Sequence, residues 1–87
     1  VAELRALPGV SVSLGHDDIM VGYDHPIHGK RNFWFEIKNP QRCLNKKGEL
    51  RVGALRATQI DLLNSWKGHF AVAWTTEMIT KEMDYVL

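Results

Sequence analysis

The chain has 87 residues, 45% of them hydrophobic, with three Trp and three Phe; that suffices for one small domain with a modest core and excludes a disordered chain. A net charge of +1 does not announce a nucleic-acid binder, and the single cysteine, Cys43, excludes an intramolecular disulfide framework and a multi-Cys zinc site. No stretch approaches the ~18 apolar residues of a membrane span, and no charged segment leads into an apolar signal-like run, so a cytoplasmic protein is expected.

In chain order, Ala2 to Leu7 reads as the end of a helix stopped by Pro8-Gly9. The chain starts at Val rather than Met, which leaves the length of that helix open. Val10-Ser11-Val12-Ser13-Leu14 alternates and predicts a half-buried strand. An apolar run, Asp18 to Tyr23, and a second strand, Asn32 to Lys38, flank a turn from Asp24 to Lys30. The period of two places Phe33, Phe35 and Ile37 on one face and Trp34, Glu36 and Lys38 on the other. If the hairpin is symmetric about Ile27, Asp18 lies opposite Glu36 on the same face. Asp17 and Asp18 face opposite ways, and this register selects Asp18. Two carboxylates facing each other repel and call for a cation; oxygen ligands completed by water suit Mg²⁺, or Mn²⁺.

Asn39-Pro40 ends the strand, because Pro cannot donate to the ladder. Gln41 to Gly53 has no periodicity and reads as a loop that is mobile without substrate. From Lys38 to Arg56 there are six basic residues (Lys38, Arg42, Lys46, Lys47, Arg51, Arg56) against one acid, Glu49, a local balance of +5. Arg42, Lys46, Lys47, Arg51 and Arg56 are therefore candidate DNA-backbone contacts; as a stretch taken alone, a solvated basic loop is the simpler account.

A helix is predicted from Arg56 to Lys67, with Gln59, Leu62, Leu63 and Trp66 on one face packed against the sheet. Gln59 is thereby carried inward and needs a partner: either a backbone group near the helix start, which spacing alone favours, or the metal and phosphate. Thr58 and Asp61 form a possible capping box, and Gly68 sits where a left-handed residue would end the helix. Phe70 to Trp74 is nearly all apolar and predicts a strand buried on both faces. Thr75 or Thr76 then caps a last helix reaching about Met83.

Other candidates read as structural. Trp34 packs in the core under the terminal helices, Tyr23 and Trp66 pack as well, and Lys30 and Arg31 solvate the hairpin. His25 and His28 are solvated turn residues and His16 is a possible phosphate contact. A histidine-metal site of the HNH type is disfavoured because His28 leads into a strand, not a helix.

The order Asp18, a gap, then Glu36-Ile37-Lys38 resembles the PD-(D/E)xK nuclease signature. Gly15-His16-Asp17-Asp18-Ile19-Met20-Val21, then Phe35-Glu36-Ile37-Lys38, then Leu55 and Gln59 opening a helix, resemble the VRR-NUC family of small nucleases, from about Gly15 to the strand around Ala71–Trp74. The chain departs from the family in carrying Asp17 where Pro often precedes the aspartate, and Arg56 where Ser or Thr often follows the leucine. Its N-terminal helix is reduced to Val1–Leu7, so Glu3 is not assigned as a ligand. The resemblance implies an α/β, restriction-endonuclease-like core: a small mixed sheet flanked by helices over residues 1–87. It implies a metal held by Asp18, Glu36 and the backbone carbonyl of Ile37, and puts the functional reading of Gln59 ahead.

Together these features predict an Mg²⁺-dependent endodeoxyribonuclease with Asp18, Glu36, Lys38 and Gln59 as catalytic residues. Lys38 orients or helps deprotonate the attacking water and offsets charge on the phosphorane. One small domain has little surface for reading bases, so structure-selective cutting is expected, and the likeness of small stand-alone relatives to Holliday junction resolvases implies branched DNA. Junction cutting by stand-alone relatives implies a homodimer, with Trp66, Phe70, Val72, Trp74, Met78, Ile79 and Met83 at the interface. A non-catalytic DNA-binding module that keeps the fold is the alternative, and a small α/β interaction domain is a third reading.

Overall fold

The computed structural model describes residues 1–15 and 18–86, so the readings made on His16 and Asp17 lie outside the described residues. Its elements are α1 (Ala2–Arg5), β1 (Val10–Leu14), β2 (Asp18–His25), β3 (Gly29–Ile37), α2 (Pro40–Cys43), α3 (Ala57–Ser65), β4 (Phe70–Ala73) and α4 (Thr76–Glu82). The four strands form one mixed sheet in the order β1-β2-β3-β4, giving an α/β fold. The first three make an antiparallel meander, and β4 returns parallel to β3 after the α2–α3 crossover, as a parallel pair requires.

Alternation in sequence becomes two faces. Ile19, Val21, Tyr23, Phe33, Phe35 and Ala73 point to one side, where Leu4 of α1 and Ile79 and Met83 beyond or within α4 close over them. Burying each Ile, Val, Phe, Leu or Met among them contributes roughly 1.5–3 kcal/mol. Tyr23 is structural, as expected: its hydroxyl accepts from the Val86 N–H at 3.1 Å and its ring meets Tyr85. Thr75 caps α4, accepting from Met78 N at 3.2 Å. The other face of the sheet carries Asp18, Met20, Trp34, Glu36, Phe70 and Val72 and is covered by α3.

Several sequence expectations are corrected. The turn is tighter than Asp24 to Lys30, because β2 and β3 extend to His25 and Gly29. His25 is not solvated: it is 3% exposed, and its Nδ1 accepts from the backbone N–H groups of Ile27 (3.0 Å) and His28 (3.1 Å), doing for the turn what a backbone carbonyl would do. Gly29, at φ +77, then takes the left-handed conformation that starts β3. Arg31 is half-buried, its guanidinium 5.2 Å from the centre of the Phe33 ring.

β4 is an edge strand, half-buried except at Ala73, rather than buried on both faces. The stretch 41–53 contains the turn of helix α2, capped by Asn39, and a Leu44–Leu50 bridge rather than unstructured loop alone. Helix α3 starts without the Thr58/Asp61 box and leaves most of its apolar residues outside, with Leu62 half-buried, Leu63 41% exposed and Trp66 52% exposed. Gly68 is not left-handed; a Cβ there would lie 2.9 Å from Trp66 Nε1, so its small size makes room for the indole.

Candidate metal and phosphate site

The antiparallel register pairs Asp18 with Glu36, as symmetry about Ile27 requires. Directly opposed residues on one face have Cβ atoms about 4.5–5.5 Å apart, close enough for both carboxylates to reach one cation. Asp18 opens β2 and is half-buried, whereas Glu36 sits on the central strand β3 under α3 and is 5% exposed. A buried carboxylate needs donors. One is Gln59, 4% exposed, whose Nε2 donates to Glu36 Oε1.

Gln59 joins three parts of the fold. Its Oε1 accepts from the Arg56 backbone N–H at 2.9 Å and from Lys38 Nζ at 3.1 Å. The first bond is half of a capping box, with Gln59 at the third helical position satisfying an N–H at the helix entrance. Gln59 caps the helix, as spacing alone favours, and it also links Lys38 to Glu36. The consequence is orientation, because the amide cannot flip without losing an acceptor to Lys38 and a donor to Glu36.

Asp18 has its own support. Trp34 Nε1 donates to Asp18 Oδ2 at 2.8 Å, while Gly15 N–H donates to the Asp18 carbonyl at 2.9 Å. A Cβ at Gly15 would collide with Asp18 Oδ1, so glycine leaves the carboxylate its place. Trp34 is not in the core under the terminal helices. It lies half-buried on the opposite face, in edge contact with Phe70 and Trp66. Sequence reasoning missed its role, yet the signal was there: Trp34 is two residues from Glu36 on the same face, the diagonal neighbour of Asp18 across the pair.

Two clefts flank Asp18. One, about 500 Å³, is lined by Gly15, Asp18, Ile37, Lys38 and Asn39 among others. The other, about 370 Å³, is lined by Leu14, Asp18, Met20, Trp34 and Trp66 among others. Ile37, between Glu36 and Lys38, pairs with Ala73 and lines the first cleft.

Arg42, Lys46, Lys47, Arg51 and Arg56 are all exposed. They lie on or beside a segment tied at both ends to the site, since it leaves from Lys38 and re-enters at Arg56 and Gln59. Within it, Asn45 Oδ1 accepts from Lys47 N (2.9 Å) and Glu49 N (3.1 Å), and Arg51 Nε donates to Leu44 O at 2.9 Å. Lys46 and Lys47 are thus held at the tip of a small hairpin, with Gly48 at φ +78.

Among the described residues one other cluster brings possible metal ligands together: His25, His28 and Asp84. It is a poor metal site. Because His25 Nδ1 accepts two N–H bonds, the neutral ring carries its proton on Nε2, which lies 3.7 Å from Asp84 Oδ2, too far for a hydrogen bond. A ligating histidine needs the reverse, one bare nitrogen for the metal and an N–H for its neighbour.

No family model matches the chain, and no curated protein or solved structure matches it. Among the described residues, no helix is long and apolar enough to cross a membrane.

Proposed function

We propose that the chain is a metal-dependent DNA endonuclease with a restriction-endonuclease-like core, cutting branched DNA as a homodimer. One observation carries the reading: Asp18 stands opposite Glu36 in register, and Lys38 is linked to Glu36 through Gln59. The donor set fits Mg²⁺ or Mn²⁺, being hard oxygens, and Gly15 gives Asp18 Oδ1 the place that a Cβ would take.

Asp18, Glu36 and the Ile37 carbonyl would hold the ion, which supplies Lewis-acid polarisation of the phosphate and a bound water of lowered pKa. The chain supplies the rest. Trp34 orients the Asp18 carboxylate and Gln59 orients that of Glu36. Lys38 Nζ, held by Gln59 on the same face, orients or deprotonates the attacking water and offsets charge developing on the phosphorane. The basic segment after Lys38 provides the counter-charge that a DNA backbone recruits.

The same hydrogen bonds favour a second reading. Glu36, Gln59 and Lys38 form an internally bonded network, which a DNA-binding module without catalysis would also retain. Labelled four-way junction, flap and linear duplex, incubated with and without Mg²⁺ or Mn²⁺, separate the two. Metal-dependent cleavage lost in Glu36→Gln supports the nuclease. Binding without cleavage in either metal leaves the module, and absence of both rejects the two together.

A further inference from the structure

We propose that the aromatic cleft beside Asp18 is a stacking site for one unpaired nucleobase, so that the DNA cut here carries an unpaired nucleotide next to the scissile phosphate. The inference rests on the proposed phosphate position at Asp18 and names the substrate more closely.

The cleft and the carboxylate pair share a wall. Trp34 lines the cleft while its Nε1 holds Asp18 Oδ2, so a strand passing Asp18 has its next base beside the indoles. Trp34 is fixed between Phe70 (centroids 4.7 Å apart) and Trp66 (5.3 Å, 80° between planes). Trp66 is 52% exposed, unlike the buried aromatics of the opposite face, yet Gly68 packs close against its indole nitrogen. It is therefore an exposed large aromatic with a defined position, the kind of surface a base covers at small entropic cost.

Electrostatics selects the base rather than the backbone. Among the described residues that line this cleft, Asp18 alone is charged, and it repels phosphate unless a cation intervenes. Apart from Ser13, the remaining described wall carries no polar side chain but the indole N–H groups, and Leu14 and Met20 are exposed alongside the indoles. About 370 Å³ of open space suits one base, and the basic segment stays available for the backbone. A base paired inside a duplex cannot present its face to such a wall; an unpaired one can.

The test reads binding first, with cleavage beside it. A flapped duplex with 2-aminopurine at the first unpaired position, and a blunt duplex of matching sequence, are titrated in Ca²⁺ with the wild type, Trp66→Ala, Trp66→Phe and Gly68→Ala. The wild type should change the 2-aminopurine emission. Trp66→Ala should weaken flap binding by about tenfold or more and blunt-duplex binding by less than about twofold. Trp66→Phe should restore most of the loss, and Gly68→Ala, which displaces the indole without removing it, should fall between. A similar loss on both DNAs, no loss on either, or a drop in sedimenting mass without a change in DNA affinity overturns the proposal, the last pointing to a second copy on this face. Cleavage that survives Trp66→Ala unchanged on flaps overturns the stacking site and leaves the nuclease standing. Trp66-dependent flap binding by a wild type that never cleaves rejects the nuclease and leaves the stacking site. Thermal melts of all variants check folding.

Discussion

Glu36 and Gln59 show how the proposed catalytic arrangement would be held by groups that also serve the fold. Both are almost fully buried, and they meet across the interface between the central strand and α3. Removing the Gln59 amide takes a donor from a buried carboxylate and an acceptor from the helix entrance together. Gln59→Ala should therefore destabilise by about 1–3 kcal/mol, read as a lower denaturation midpoint at unchanged m-value. Gln59→Glu should be worse, because it sets a second carboxylate against Glu36; equal or greater stability in Gln59→Glu would show that Glu36 is not charged in this setting. The chemistry itself is checked at three positions. Asp18→Asn, Glu36→Gln and Lys38→Ala should each cut cleavage by at least about a hundredfold, measured at saturating DNA. The two carboxylate changes also remove like-charge opposition, so without metal they should melt no lower than the wild type. Wild-type rates in all three variants would sink the assignment.

At the scale of elements, the basic segment between Lys38 and Arg56 is an inserted hairpin whose two roots are pinned by the Lys38–Gln59 and Arg56–Gln59 bonds. Lys46, Lys47 and Arg51 changed together to Ala should flatten the salt dependence of DNA binding by up to about three units of slope, while cleavage at saturation falls less than in the site variants. An unchanged slope would make the hairpin a solvated surface. The pairing of Asp18 with Glu36 was legible because a hairpin register follows from turn symmetry and strand alternation. The edge position of β4 was not, because an apolar run says that a strand is covered and not on which side. Nor was the exposure of Trp66. The helical stripe Gln59, Leu62, Leu63, Trp66 is real as a pattern, but α3 ends at Ser65 and Trp66 is extended, so its ring meets Trp34 edge-on with half its surface exposed. His25 was misread for a related reason: turn residues are usually solvated, and a buried imidazole acting as the turn's acceptor leaves no pattern in sequence.

Over the whole molecule, the distribution of apolar residues bears on assembly. Ile79 and Met83, expected at an interface between copies, are instead in the core with Phe33 and Phe35, so they are unavailable to a partner. Ile60 and Leu63 of α3 remain, 45% and 41% exposed. On a helix of 3.6 residues per turn they lie to one side of Gln59 and Leu62, the residues that face the sheet. A four-way junction has two-fold symmetry, and one copy of this chain supplies one Asp18/Glu36/Lys38 site, so two copies about a two-fold axis are the simplest arrangement for paired incisions. A self-complementary contact through α3 would bury Ile60 and Leu63 while leaving the Trp66 cleft open to DNA. Sedimentation at micromolar concentration should then give about twice the 9.9 kDa of one chain. Ile60→Asp with Leu63→Asp should return the mass to one chain with flap binding intact and paired incision of junctions lost. A wild type that sediments as one chain and still cuts both strands of a junction would refute the dimer; one that only nicks flaps would place the activity at single unpaired branches, where the aromatic cleft already points.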